Sequence, residues 1–154
     1  MIIIIAGIKR SGSTAQYNMV RLILKHAGYN VIPKYEGNGR INPSETNLIK
    51  RHPYNGRLAR LADYIFLTDR ADQRILNSLH RFNGKEPDPK RLKRMRRNLD
   101  KWRSHSGKVL EQDYNCLITH PRKAIDRLAN FMNINTGGAK VYHEFINIKP
   151  PKRG

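Results

Sequence analysis

The sequence predicts an α/β fold in which a parallel sheet is flanked by helices. Apolar runs typical of buried strands alternate along the chain with segments of helical periodicity, and a glycine-rich loop separates the first run from the first helix. A length of 154 residues fits a single domain spanning 1–154. Because parallel α/β sheets place their sites at the carboxyl ends of the strands, we expect the functional residues there.

The elements follow one another in a regular order. We expect strands at 2–6, 29–35, 47–51, 62–70 and 108–114. A first helix follows the glycine loop and stops at Gly28, and further helices are expected at 71–82, about 89–103, and 121–134. The segments 36–46 and 83–89 have loop composition and are candidate acceptor-binding loops, and 147–154 is a short basic tail.

The helix at about 89–103 is strongly basic but has one apolar stripe. Leu92, Met95, Leu99 and Trp102 recur at helical spacing, while the remaining positions are almost entirely Lys and Arg. We therefore expect a helix that docks through its stripe and presents a basic outer surface.

The charge of the chain indicates a polyanionic partner or ligand. Thirty Lys and Arg against twelve Asp and Glu give a net charge of +18. Nucleic acid, an anionic polysaccharide and a multiply phosphorylated cofactor all fit such a field, and activity should be sensitive to salt.

The composition argues against a membrane protein and against a disulfide framework. Only 38% of the residues are hydrophobic, and the opening apolar run is much shorter than the roughly 20 residues of a membrane span. It also lacks the charged segment and cleavage pattern of a secretory signal. Cys116 is the single cysteine, so no intrachain disulfide can form. We expect a cytoplasmic protein.

The glycine loop "GIKRSGST", residues 7–14, has the frame of a phosphate-binding P-loop, G-x-x-x-x-G-K-[ST], with Ser13 in place of the lysine. Loop amides and the positive end of the following helix stabilise an anion. Without the lysine, magnesium-dependent cleavage of ATP is disfavoured. A sulfuryl group carries less charge and needs only hydroxyls, amides and a nearby cation, for which Arg10 is the candidate.

The segment "KRSGST" resembles the 5′-phosphosulfate loop of the sulfotransferases that use 3′-phosphoadenosine 5′-phosphosulfate (PAPS). The resemblance implies a P-loop-like fold with PAPS as co-substrate. It also implies that the 5′-phosphosulfate is held by Arg10, Ser11, Gly12, Ser13 and Thr14.

A second cofactor element of the family is similar to "YIFLTDRADQRILNSLHRF". In the family, an Arg at a strand end and a Ser eight residues later bind the 3′-phosphate. Arg70 and Ser78 match this pair. Arginine suits the role because its planar fork binds phosphate oxygens bidentately.

The segment "IKRHP" resembles the family's "K-T-H-x-P", which places a catalytic histidine at a strand end. By this match His52 is the candidate base for the acceptor hydroxyl, and Lys50 stabilises charge on the bridging oxygen. Related enzymes use a carboxylate instead, for which Glu45 is the candidate.

A later segment, "EQDYNCLITHPRKAIDRLANFMNI", is similar to a family element made of a tyrosine-led strand and a helix that packs on the nucleotide fold. Tyr114, Pro121, Leu128 and Phe131 match its pattern, whereas Asn115 replaces an acidic residue.

Taken together, the resemblance implies an enzyme that transfers a sulfuryl group from PAPS to a hydroxyl or amine of an acceptor. The positive charge of the chain is compatible with an anionic acceptor. We expect no metal, because no His, Cys, Asp or Glu cluster has ligand spacing. Two alternatives remain at this point. One is a nucleic-acid-binding or polyanion-binding protein that uses the basic helix, and the other is a small-molecule kinase with Asp69 as the nearest candidate for holding magnesium.

Overall fold

The computed structural model describes residues 1–35, 40–85 and 88–148. The described residues form five strands: β1 (Ile2–Ile5), β2 (Val31–Tyr35), β3 (Thr46–Lys50), β4 (Tyr64–Asp69) and β5 (Val109–Asp113). They also form seven helices: α1 (Ser13–His26), α2 (Gly56–Leu61), α3 (Asp72–Asn83), α4 (Pro89–Arg103), α5 (Tyr114–Thr119), α6 (Pro121–Phe131) and α7 (Gly138–Ile146).

The strands form one sheet in the order β2-β3-β1-β4-β5, and every neighbouring pair is parallel. The central strand is the isoleucine run of β1, in which no residue is more than 5% exposed. A strand buried on both faces is expected to be continuously apolar, which explains why this run shows no alternation. The predicted α/β fold with a parallel sheet flanked by helices is confirmed.

The two faces of β1 pack against different groups of helices. Ile3 and Ile5 belong to a core that includes residues of α1, α6 and α7. Ile2 and Ile4 belong to a second core, which includes residues of α2, α3 and α4. This division follows from the alternation of side chains along a strand, and it leaves the ends of the strands as the place for polar groups.

The basic helix α4 docks as its stripe predicts. Leu99 and Trp102 are buried, and Leu92 and Met95 are half-buried against the same core. The indole Nε1 of Trp102 also donates a hydrogen bond of 3.2 Å to the carbonyl oxygen of His52. The helix is therefore fixed against the segment that follows β3.

Three helices were not predicted from the sequence, namely α2, α5 and α7. Tyr114, expected to lie in a strand, is the first residue of α5, because the carboxylate of Asp113 accepts a hydrogen bond from the amide of Asn115 and caps a helix there. Two glycines, Gly137 and Gly138, precede and open α7, where their low helix propensity conceals the start.

No helix within residues 1–35, 40–85 and 88–148 combines the length and apolar character needed to cross a membrane.

The predicted loop 83–89 is shorter in the structure, since Asn83 belongs to α3 and Pro89 to α4. Residues 36–39 and 86–87 of the two candidate acceptor loops lie outside the described residues, as do residues 149–154 of the basic tail.

Candidate active site

The glycine loop lies against β4 and the start of α5. Gly7 has a φ of +118°, and a Cβ atom there would approach the carbonyl oxygen of Thr68 to 2.6 Å. Gly12, at +93°, caps α1, and a Cβ atom there would lie 3.1 Å from the side chains of Tyr114 and Leu117. Both positions combine a positive φ with close neighbours, so the loop requires glycine at each.

Ser11 uses its polar groups inside the protein. Its side chain is fully buried, and its hydroxyl donates to the carbonyl oxygen of Ile8 and lies 2.7 Å from the hydroxyl of Thr68. Its amide donates to the same carbonyl oxygen of Ile8. The residue therefore fixes the path of the loop beside β4, and its hydroxyl is already engaged.

Ser13 and Thr14 form the first turn of α1, where amide groups without helical partners and the helix dipole favour an anion. A lysine does lie at this turn, but it comes from another strand. Nζ of Lys50, the last residue of β3, donates a hydrogen bond of 2.6 Å to Oγ1 of Thr14. The ammonium group that the loop sequence lacks is thus supplied across the sheet.

Arg10 turns toward α3. Its φ is +66°, which is uncommon outside glycine, and its Nε donates a hydrogen bond of 2.9 Å to Oγ of Ser78. Its guanidinium carbon lies 5.0 Å from the ring centroid of Phe82, one helical turn further along α3. The loop and the predicted 3′-phosphate element are therefore in direct contact.

Arg70, immediately after β4, is held on two sides. Its guanidinium carbon lies 3.8 Å from the ring centroid of Tyr114, and its Nη1 donates a hydrogen bond of 3.2 Å to the carbonyl oxygen of Arg10. Its Nε is buried and has no hydrogen-bond partner among the described residues. A buried donor without an acceptor is costly, and a phosphate oxygen would satisfy it.

Six of the seven predicted cofactor-binding residues, all except Ser11, line one cavity of about 260 Å³. Arg81 and Tyr114 line it too, although neither was assigned as a ligand from the sequence. The sequence contains features that could have indicated both residues. Arg81 lies three residues after Ser78, on the same face of a helix, and Tyr114 follows the carboxyl end of β5. The described residues that line this cavity include three arginines and no Asp or Glu, a composition that suits an anion.

His52 lines a second cavity, of about 220 Å³, on which Gly7 and Lys9 of the glycine loop also border. Its Nδ1 lies 2.9 Å from the carbonyl oxygen of Gly7. Because a carbonyl oxygen only accepts, Nδ1 carries the proton, and in the neutral ring Nε2 is the basic nitrogen. The hydrogen bond thus selects the tautomer that a general base needs.

Glu45, the alternative carboxylate base, lies at the wrong end of the sheet. It precedes β3, and its carbonyl oxygen accepts a hydrogen bond of 2.8 Å from the amino group of Met1, which precedes β1. His52 follows the carboxyl end of β3 instead. The length of the strand separates Glu45 from the glycine loop, so its carboxylate does not reach that loop.

Asp69, the magnesium candidate of the kinase alternative, is engaged in salt bridges. Its carboxylate binds Nη1 of Arg96 at 2.5 Å and Nη2 of Arg103 at 3.1 Å. Burial lowers the pKa of Arg96, but hydrogen bonds to Asp72 and Asp69 outweigh it and raise that pKa overall. The hydrogen bond to Glu111 raises the pKa of Arg103. Part of the basic surface expected on α4 is therefore neutralised against β4 and β5.

Comparison with solved structures identifies the fold. The chain superimposes on mouse sulfotransferase SULT7A1 complexed with PAP with a TM-score of 0.71 and 14% identity, covering 98% of this chain and 66% of that one. It superimposes on retinol dehydratase, in a complex with androsterone and inactive cofactor PAP, with a TM-score of 0.68 and 14% identity. That match covers 96% of this chain, which spans 64% of the retinol dehydratase chain.

A sugar kinase from Janibacter sp. HTCC2649, in an unliganded structure, matches less well, with a TM-score of 0.52 and 10% identity. No protein-family model matches the sequence, and no curated protein sequence matches it. The chain thus has the fold of the PAPS-dependent sulfotransferases, at sequence identities that show the fold alone.

Proposed function

We propose that this protein transfers a sulfuryl group from PAPS to a hydroxyl or amine of an acceptor. The observation that carries the proposal is the cavity in which Arg10, Arg70 and Ser78 meet the first turn of α1. These residues come from a loop, a strand end and a helix, and the sequence resemblance assigns each to a phosphate group of one cofactor. The similar structures of SULT7A1 and retinol dehydratase, both with PAP, support the same assignment.

The cavity has a place for each anionic end of the co-substrate. Ser13 and Thr14, with the amides of the first turn of α1, face the 5′-phosphosulfate. Arg70 and Ser78 bind the 3′-phosphate, and the unpartnered Nε of Arg70 is the donor that this phosphate would satisfy. Arg81, on the same face of α3 as Ser78, adds a further cation to the cavity.

The transfer needs one base and one cation. The acceptor oxygen attacks sulfur while the bond from sulfur to the bridging oxygen breaks, so adenosine 3′,5′-bisphosphate (PAP) leaves with that electron pair. Nε2 of His52 takes the acceptor proton. Lys50, bound to Thr14, stabilises the charge that grows on the bridging oxygen.

The test incubates the protein with PAPS and a panel of hydroxyl and amine compounds, and measures the release of PAP by chromatography. We expect acceptor-dependent PAP release that needs no added magnesium and is lost in His52→Ala. A parallel reaction with ATP and magnesium tests the kinase alternative, which the salt bridges of Asp69 disfavour. Transfer from ATP, with PAPS left intact, would contradict the proposal.

A further inference from the structure

The cavity beside His52 is built from three parts of the chain and has a distinct charge. Lys9 comes from the glycine loop, His52 from the segment after β3, and Arg91 and Arg94 from the first half of α4. Among the described residues that line it there is no Asp or Glu. Three cations therefore converge on a space whose described lining contains no carboxylate to neutralise them.

Four of the five arginines of α4 form two pairs with different surroundings. Arg96 and Arg103 make salt bridges to acidic residues at the end of β4, within β5, on α3 and on α4 itself. Within residues 1–35, 40–85 and 88–148, the side chains of Arg91 and Arg94 make no salt bridge or hydrogen bond. The described carboxylates thus pair with Arg96 and Arg103, whereas Arg91 and Arg94 at the cavity, like the exposed Arg97 outside it, have no such partner among the described residues.

The other groups of the lining offer little else for a ligand to bind. The amide oxygen of Asn98 accepts from the backbone amide of Tyr54, and its amide nitrogen donates to the carbonyl oxygen of Arg94. Pro53 and Met95 supply apolar contact only. The unused donors belong to the cations, which bind carboxylate, sulfate or phosphate oxygens most strongly.

The size of the cavity limits what it can hold. Its volume of about 220 Å³ is below the range of roughly 300–1,000 Å³ that is usual for sites enclosing a whole small molecule. It therefore takes one end of an acceptor. That end must contain both the reacting hydroxyl, near His52, and the group that the cations bind.

Building on the proposed sulfuryl transfer, we propose that the acceptor is a hydroxyl compound that carries an anionic group close to the reacting hydroxyl. Lys9, Arg91 and Arg94 bind this anionic group, and His52 faces the hydroxyl. The cavity thus selects acceptors by charge as well as by the presence of a hydroxyl.

Two probes that differ at C6 of the sugar, with a carboxylate in one and a neutral hydroxymethyl group in the other, test this proposal. Calorimetry on protein saturated with PAP compares p-nitrophenyl β-D-glucuronide, which carries a carboxylate, with the neutral p-nitrophenyl β-D-glucoside. We expect the glucuronide to bind about tenfold more tightly or better, because a charge-assisted contact is worth at least that factor. Added salt should weaken glucuronide binding and leave glucoside binding unchanged.

The variants Arg91→Gln and Arg94→Gln should remove most of this preference. Arg97→Gln is the matched control, because Arg97 is exposed on α4 and does not line the cavity. PAP affinity and melting temperature should be the same in all three variants. Equal affinities of the wild type for the two probes, no detectable glucuronide binding, or an equal loss in Arg97→Gln would overturn the proposal.

The same titrations separate this proposal from the proposed function. If PAP does not bind, the sulfotransferase assignment fails, and the two probes are then titrated into the protein alone. A preference for the glucuronide that depends on Arg91 and Arg94 would still establish the anion site. If the variants do not fold, the preference of the wild-type protein for the glucuronide, and the weakening of that preference by salt, still test the proposal.

Discussion

Nε of Arg10, in the glycine loop, donates a hydrogen bond of 2.9 Å to Oγ of Ser78 in α3, across 68 residues of sequence. Sequence reasoning assigned Arg10 to the 5′-phosphosulfate and Ser78 to the 3′-phosphate, as separate contacts. Their hydrogen bond joins the two predicted phosphate sites. The two residues should therefore act on ligand binding as one unit.

A double-mutant cycle tests this coupling. We expect Arg10→Ala and Ser78→Ala each to weaken PAP binding about tenfold or more, because each removes a charge-assisted contact or its partner. The loss of PAP affinity in the double variant should be smaller than the product of the two single losses. The corresponding coupling free energy should be about 0.5–3 kcal/mol. Calorimetric titration measures all three. Arg74→Ala, exposed on α3, is the control, and strictly multiplicative effects would show that the two residues act independently.

Lys50 gives a second prediction, since its ammonium group lies 2.6 Å from the hydroxyl of Thr14. Lys50→Met keeps the length of the side chain and removes the charge. If the charge acts on the bridging oxygen as the bond to sulfur breaks, turnover should fall about 100-fold or more, with a much smaller change in PAP affinity. Steady-state rates of PAP release and calorimetry together measure this difference.

The control for Lys50→Met is Lys93→Met, which removes an exposed charge from α4, outside both cavities. It should retain normal turnover. A Lys50→Met variant with normal turnover would exclude the role of Lys50, and Arg10 would then remain the candidate cation for the bridging oxygen.

Much of the fold could be predicted because its signals are local. The run Ile2–Ile5 is a central strand because four consecutive β-branched residues suit burial on both sheet faces. The stripe on α4 docks because its spacing follows the helical period. Arg70 and Ser78 meet at one cavity because a strand end and the next helix remain adjacent in an α/β unit.

The remainder depends on tertiary contacts that leave no local pattern. The contact of Lys50 with Thr14 exists only because β3 pairs with β1, and the sequence does not contain that strand order. The salt bridges of Arg96 and Arg103 depend in the same way on where α4 crosses β4. Glu45 was a candidate base because related enzymes use a carboxylate, whereas in the structure β3 separates it from His52.

The attachment of α7 to α1 gives a pH-dependent prediction. Glu144 accepts hydrogen bonds of 2.7 Å from Lys25 and from His26, and these hydrogen bonds lower the pKa of its carboxyl below the usual 4.5. A lowered pKa stabilises the folded protein above pH 4.5, and this stabilisation is lost as the pH falls through the lowered pKa. Glu144→Gln should therefore reduce the free energy of unfolding at pH 7.

In urea denaturation, the difference between wild type and Glu144→Gln should shrink as the pH falls below 4.5. Glu45→Gln is the control, because the exposed carboxylate of Glu45 makes no salt bridge within the described residues. A difference that is the same at every pH would show that the ion contacts of Glu144 are not its source.

The central claim is that the cavity recognises a nucleotide with phosphates at both the 3′ and 5′ positions. Calorimetric titration of the wild-type protein with PAP and with AMP tests it most directly, because the two ligands differ only in the 3′-phosphate. A charge-assisted contact of about 1.5–3 kcal/mol predicts that PAP binds at least tenfold more tightly, and that Arg70→Ala removes most of this preference. Equal affinities for PAP and AMP in the wild type would contradict the account.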